Sequence, residues 1–251
     1  MKTLFYSLLS LLLSFAVTQS AVADSVFSSV TTVSLHSLIL ISTHKSPRGA
    51  AEKQIKVLFY LQDGVEVLDF AGPMEVFSAA GFDVKTVSKT KGPITSQGIL
   101  KIIPDYTIDD APYADIIVFF GGNSGNAANS PAVIKWLKNV SPPQYYMSVC
   151  TGAFVLGKAG LLDHLTVTTF HDSIDRLQAA VPLAKVLANV RFVDNGRIIT
   201  TAGVSAGIDG ALHVVEKLLG SKAAQEVVKY MEYDKWVPGQ GLVIDKKQQS
   251  R

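Results

Sequence analysis

The sequence predicts an α/β fold in which helices cover both faces of a doubly wound, mostly parallel sheet. Continuous apolar runs of strand length, typical of parallel strands buried on both faces, recur at residues 57–61, 116–120 and 145–149. Segments with apolar residues at helical spacing separate these runs, and no internal repeat interrupts the alternation. With 251 residues, 48% of them hydrophobic, the chain is long enough to bury one substantial core.

The first apolar run predicts the first central strand, and the residues after it predict a turn and a helix. The turn is expected at residues 63–64, and the helix over residues 74–80 with Pro73 near its first turn. Asp69 precedes this helix between two large apolar residues, a setting that would raise its pKa. An exposed or helix-capping carboxylate is the ordinary alternative for an acid at this place.

The next segments predict a second strand, a hairpin and a third strand that ends in two glycines. They cover residues 82–87, 92–103 and 116–120. Gly121 and Gly122 follow at the carboxyl end of the third strand, where backbone N–H groups can approach a ligand closely. Ser130 and Pro131 then predict a helix over residues 132–140, with the serine as its cap.

Residues 145–162 predict a strand, a sharp turn and a helix, with the only cysteine of the sequence, Cys150, at the turn. A side chain on such a turn stands clear of the sheet, and the free N–H groups of the helix N-terminus favour a thiolate. Gly152 and Ala153 leave room around the sulfur. We therefore expect Cys150 to be a nucleophile; the alternative is a small buried hydrophobic residue.

The remainder of the chain continues the alternation of strands and helices. The pattern predicts short strands at 167–169 and 186–191, a helix at 173–180, a hairpin at 191–201, and helices ending near 219 and covering 222–231. His171 follows the first of these strands. It is a candidate for binding substrate, although a histidine bonded within its own loop is the more common case.

Residues 1–23 have the layout of a secretory signal peptide. A positive start at Lys2 precedes an apolar run, and residues 21–23 form a small-x-small cleavage site. An uncleaved anchor is the alternative, because residues 33–41 are also apolar, although they are too few to span a bilayer. We expect a protein exported to the periplasm or secreted, without stable membrane insertion after cleavage. The expected parts are a linker or disordered arm at 24–54, a domain at 55–237 and a C-terminal tail at 238–251.

Charge and metal-ligand patterns limit the kinds of partner. The formal net charge is +2, and no run of Lys and Arg interleaved with aromatic residues occurs, so nucleic acid is not an expected partner. The five histidines are scattered, without the spacing of a metal site. We expect a small-molecule substrate and neither metal nor cofactor.

Five short motifs occur in the order known from one protein family. They are LDxxGPxEVF at 68–77, GG at 121–122, SVCTGA at 148–153, AGLL at 159–162 and TAGVSAGID at 201–209. With them, residues 56 to about 236 resemble the DJ-1/PfpI family, and within it most closely the isonitrile hydratase branch and the amidotransferase-like domains of AraC-type regulators. The resemblance implies a flavodoxin-like fold and a homodimer.

The resemblance also implies the roles of the site residues. Cys150 is the nucleophile, Asp69 shuttles the proton, and Thr151 acts beside the cysteine. Further candidates for binding the substrate or its developing negative charge are Gly121, Gly122, Gly152 and His171.

The function expected from these residues is a cysteine-dependent hydratase or related lyase that acts on a small electrophile such as an isonitrile. The alternatives are a non-catalytic sensor or binding domain and a glyoxalase-like stress protein. Thr151 stands where peptidase-type relatives carry histidine, which argues against peptidase chemistry. Phe170 and His171 stand where isonitrile hydratases tend to carry His-Trp, so a different substrate pocket is expected.

Overall fold

A computed structural model describes residues 54–98 and 100–244, and its strands agree closely with the apolar runs of the sequence. The strands are β1 Lys56–Tyr60, β2 Asp83–Ser88, β3 Ile94–Ser96, β4 Leu100–Ile102, β5 Tyr106–Thr107, β6 Ile116–Phe119, β7 Tyr145–Ser148, β8 Thr166–Val167, β9 Lys185–Val186, β10 Phe192–Asp194, β11 Ile198–Thr201 and β12 Leu242–Val243. Eight of them form one sheet in the order β12-β10-β11-β7-β6-β1-β2-β5. Only β10–β11 is an antiparallel pair in this sheet, as the predicted hairpin requires.

Helices lie on both faces of the sheet, which confirms the predicted α/β, flavodoxin-like fold. They are α1 Val67–Ala79, α2 Gly125–Ala128, α3 Pro131–Asn139, α4 Ala153–Lys158, α5 Ile174–Ala180, α6 Ala206–Leu219 and α7 Ser221–Tyr230, with single 3-10 turns at Cys150–Gly152 and His171–Ser173. No helix within the described ranges has the length and apolar character needed to cross a bilayer.

The core consists of two apolar layers, one on each side of the sheet. Along β1 the side chains alternate, because Val57 and Phe59 pack in one layer and Leu58 and Tyr60 in the other. Helices α1, α6 and α7 cover the first layer, and α3, α4 and α5 cover the second. This double burial explains why the central strands are uninterrupted apolar runs in the sequence.

Helix α1 begins earlier than the sequence predicted, at Val67 rather than near residue 74. Pro73 therefore lies inside the helix, where it lacks the N–H that a regular turn would use. The helix packs closely against α6 at this point, since a Cβ at Gly72 would come within 2.7 Å of Ile208 Cγ1. The early start also places Asp69 in the first turn of α1 rather than in a loop.

Smaller differences concern the ends of the predicted elements. Strand β9 covers only Lys185–Val186 rather than residues 186–191. Strand β12 pairs with β10 and adds a strand from within the segment predicted as a tail at 238–251, because two residues are too short for a recognisable period. The predicted signal peptide at 1–23 and nearly all of the predicted arm at 24–54 lie outside the described residues.

Candidate functional site

Cys150 lies on a strained turn at the carboxyl end of β7, directly before α4. Its φ angle is +57°, in the left-handed region that residues with a side chain rarely adopt. Two hydrogen bonds hold the turn: Cys150 N–H donates to Ala202 O at 3.1 Å, and Thr169 Oγ1 donates to Cys150 O at 2.7 Å. The predicted strand–turn–helix around this residue is therefore present.

Asp69 reaches the sulfur from the first turn of α1. The side chain is fully buried, and its two oxygens accept separate backbone N–H groups, Gly121 N–H at 2.8 Å and Val204 N–H at 2.9 Å. The Cys150 thiol lies beside this carboxyl group, because a Cβ built on Gly121 would lie 2.7 Å from both Asp69 Oδ2 and Cys150 Sγ. Val204 has a φ angle of +55°, so a second strained residue helps to hold the acid.

The pKa values of the two groups indicate that they share one proton near neutral pH. Burial raises the pKa of Asp69 to about 6, although the N–H groups of Gly121 and Val204 act against the rise. Burial and then the negative charge of Asp69 raise the pKa of the Cys150 thiol to about 12. The N–H donors on Asp69 favour the carboxylate, so the resting pair is a thiol hydrogen-bonded to a carboxylate. Burial and the nearby anion therefore act against the thiolate that the helix N-terminus was expected to favour.

Thr151 lies beside the sulfur and lowers the pKa of Cys150 through both its backbone N–H and its hydroxyl, against the larger effect of burial. The hydroxyl is itself held, because Ser124 Oγ donates to Thr151 Oγ1 at 3.0 Å. Gly122 borders the same cleft. The structure thus brings Cys150, Asp69, Thr151 and Gly122 together.

Two predicted glycine roles need correction. The N–H of Gly121 is directed to Asp69 rather than to a substrate. The N–H of Gly152 is bonded to Val149 O at 3.0 Å, and a Cβ at Gly152 would collide with the backbone carbonyl of Phe119. Gly121 therefore positions the acid, and Gly152 allows the turn to pack against β6.

The sulfur lies at the edge of a cleft of about 400 Å³. Its lining residues are Glu66, Gln97, Gly122, Cys150, Thr151, Phe170, Asp172, Ser173, Arg176 and Val204. Cys150 itself is only 6% exposed. His171 borders a neighbouring cavity of about 390 Å³, and its Nδ1 pairs with Asp172 at 2.7 Å. Phe170 lines both cavities, but His171 is not among the residues that line the Cys150 cleft.

Several residues of the site gave no recognisable signal in the sequence. The backbone N–H of Val204 donates to Asp69, and the hydroxyl of Thr169 donates to the carbonyl oxygen of Cys150. Arg176 is one of many charged residues on helix surfaces, and only the placement of α5 brings it to the cleft. The TAGVSAGID motif at 201–209 contains Val204, so the motif was the one available sign that this loop belongs to the site.

The site offers few groups that could hold a metal ion. Within residues 54–98 and 100–244, no group of three or more His, Cys, Asp or Glu side chains is arranged to ligate a metal. At the cleft, Asp69 already accepts hydrogen bonds on both oxygens.

Known proteins are similar to this chain in sequence and in fold. Residues 55–217 match the DJ-1/PfpI family. The chain is 34% identical to the isonitrile hydratase of Pseudomonas putida over 185 residues, which are 71% of this chain and 78% of that protein. It is 29% identical over 180 residues to the Parkinson disease protein 7 homolog of Danio rerio, covering 68% of this chain and 94% of that one. A solved ThiJ/PfpI family protein from Pseudomonas syringae has a TM-score of 0.69 at 26% identity, covering 78% and 86% of the two chains.

Proposed function

Because the chain belongs to the DJ-1/PfpI family, we propose that it is a cysteine-dependent hydratase of small electrophiles, with isonitriles as the substrate class. The observation that carries the proposal is the placement of the buried Asp69 carboxyl group beside the Cys150 thiol, where both border the same point above Gly121; the Asp69 pKa of about 6 suits a general base at neutral pH. The similarity to an isonitrile hydratase supports the choice of substrate.

The first half of the proposed reaction joins the substrate to the enzyme. Asp69 accepts the thiol proton while Sγ of Cys150 attacks the terminal carbon of the isonitrile. Asp69 then returns this proton to the same carbon. One S–C bond and one C–H bond form, and the product is a thioimidate on Cys150. The N–H and hydroxyl of Thr151 stabilise the negative charge on sulfur during the transfer.

The second half releases the product and restores the pair. Asp69, again a carboxylate, takes a proton from a water molecule whose oxygen attacks the thioimidate carbon, and this proton passes to the substrate nitrogen. The C–S bond then breaks, and sulfur regains a proton from the new hydroxyl group through Asp69. The sum is isonitrile plus water giving an N-substituted formamide, with no oxidant or reductant.

The direct test is conversion of n-butyl isonitrile to N-butylformamide, followed by NMR. We expect turnover by the purified protein and losses of at least about a hundredfold in Cys150→Ser and Asp69→Asn, the size typical of removing a nucleophile or a general base. Asp234→Asn, which changes an exposed carboxyl group in the same way, is the matched control. Full activity in Cys150→Ser would contradict the proposal.

A second candidate function is small-molecule binding without turnover. It is favoured by the burial of Cys150 and by the raised pKa of its thiol, which keep the sulfur protonated when no substrate is present. A ligand that binds in the cleft but is recovered unchanged, with equal affinity for wild type and Cys150→Ser, would support this function. The same assay with methylglyoxal examines the glyoxalase-like alternative.

We also propose that the mature protein is exported and forms a homodimer. Export is supported by the signal-peptide pattern of residues 1–23, and dimerisation by the family resemblance. Cell fractionation with N-terminal sequencing tests cleavage after Ala23. Light scattering tests the dimer, and a monomer mass would contradict it.

A further inference from the structure

Arg176 brings a positive charge to the cleft of the nucleophile. It lies in α5 and borders the same cleft as Cys150 and Thr151. Two contacts restrain its side chain: Nη2 donates to Ser173 Oγ at 2.9 Å, and the guanidinium carbon lies 5.1 Å from the centre of the Phe154 ring. Ser173 is 3% exposed, whereas Arg176 itself is exposed. The guanidinium therefore lies at the solvent-accessible rim of the cleft, within reach of a ligand.

This guanidinium has no carboxylate partner in the described part of the chain. The ion pairs among residues 54–98 and 100–244 include Arg191, whose Nε donates to Asp209 at 2.6 Å, but not Arg176. A guanidinium carries five N–H donors in a planar fork, and Ser173 uses one of them. The remaining donors can bind a carboxylate through two parallel hydrogen bonds.

The acids that border the cleft make no ion pair with Arg176. Asp172, two residues before α5, lies 2.7 Å from His171 Nδ1. Glu66 precedes α1 and raises the pKa of Asp69 through its charge, so it lies on the α1 side. Arg176 is the only basic residue among the described residues that line the cleft.

We propose that Arg176 forms an anion-binding subsite, and that the natural electrophile carries a carboxylate group which this residue binds while the reactive carbon faces Cys150. The inference rests on the proposed hydratase function and specifies its substrate class. A cleft of about 400 Å³ is large enough for a small molecule that contacts both Cys150 and Arg176.

The test compares isocyanoacetate with its methyl ester, two isonitriles that differ mainly in charge. We expect wild-type kcat/KM to favour isocyanoacetate by about tenfold or more, as a charge-assisted hydrogen-bonded pair provides. Arg176→Gln should remove this preference, mainly by raising KM for isocyanoacetate, and should leave the ester unchanged. Arg176→Lys should keep part of the preference, because the charge remains but the fork is lost.

Arg197→Gln is the matched control. Arg197 also lies over an aromatic ring, 5.7 Å from the centre of Tyr146, but it does not border the cleft. The control should retain the wild-type preference. Equal kcat/KM for the two isonitriles in wild type, or an unchanged preference in Arg176→Gln, would overturn the inference.

A binding measurement separates failure of the inference from failure of the proposed function. N-formylglycine, the formamide derived from isocyanoacetate, is titrated calorimetrically into Cys150→Ser with Arg176 intact or changed to Gln, and its methyl ester is titrated in parallel. Tighter binding of the anion that requires Arg176 supports the subsite even where no isonitrile is hydrated. Equal binding of acid and ester overturns the subsite even where hydration is observed.

Discussion

Replacing Asp69 by Asn measures how strongly the fold opposes the buried negative charge. The rise of the Asp69 pKa from 3.8 to about 6 corresponds to about 3 kcal/mol, at about 1.4 kcal/mol per pKa unit. The folded protein favours the protonated form, so the contribution of Asp69 to stability is fully present below about pH 4 and is lost as pH rises through about 6. The Asn variant does not titrate at this position.

The expected signal is a pH-dependent difference between the two free energies of unfolding. The free energy of unfolding of Asp69→Asn minus that of wild type should rise by about 2–3 kcal/mol between pH 4 and pH 7.5. Asn also leaves one of the N–H groups of Gly121 and Val204 without an acceptor, at a cost of about 1–3 kcal/mol. This cost does not change with pH. It lowers the difference between the two free energies of unfolding by the same amount at every pH and does not affect the rise of that difference with pH.

Urea denaturation followed by circular dichroism across this pH range provides the measurement, with Asp234→Asn as the control for an exposed carboxyl group. A difference that stays constant from pH 4 to pH 7.5 would show that burial does not raise the Asp69 pKa. A difference that falls with rising pH would show that the fold stabilises the ionised form, and the reasoning would be refuted.

Two substitutions around the pair have distinct expected effects. A Cβ at Gly121 would lie 2.7 Å from both Asp69 Oδ2 and Cys150 Sγ, so Gly121→Ala should lower turnover by roughly a hundredfold and cost about 1–3 kcal/mol of stability. Gly125→Ala, where the nearest atom lies at 3.6 Å, is its control, and equal turnover in both would contradict the close contact. Thr151→Val removes a hydroxyl that lowers the Cys150 pKa, so kcat should fall by about tenfold with KM little changed; a change confined to KM would argue against this role.

The sheet was predictable because its strands are buried on both faces. Residues such as Val57 and Leu58 point to opposite layers and are both fully apolar, so each strand is a continuous signal in the sequence. The start of α1 was not predictable in this way. Proline favours the first turn of a helix, so Pro73 indicated a later start than the one at Val67 that the structure shows.

The sequence predicted the site residues that act through a distinctive side chain. It did not predict the roles that depend on the direction of a backbone N–H group. Asp69 and Cys150 are distinctive side chains that follow β1 and β7, two parallel strands on either side of β6, and the loops after parallel strands meet at one edge of the sheet. The N–H of Gly121 faces Asp69 because of local φ and ψ angles, which the sequence does not specify. The protonation of Cys150 could not be predicted either, because it depends on burial and on the distance to an acid from another element.

The pH dependence of Cys150 alkylation by iodoacetamide reports directly on the proton shared with Asp69. In wild type the second-order rate constant should fall below about pH 6, where Asp69 is protonated and cannot accept the thiol proton, and should be nearly flat from pH 7 to pH 9. Asp69→Asn should lose the inflection near pH 6. A wild-type rate that climbs about tenfold per pH unit from pH 7 to pH 9, as it does for a thiol with a pKa of about 12 when no neighbouring base takes its proton, would contradict the shared proton and with it the proposed mechanism.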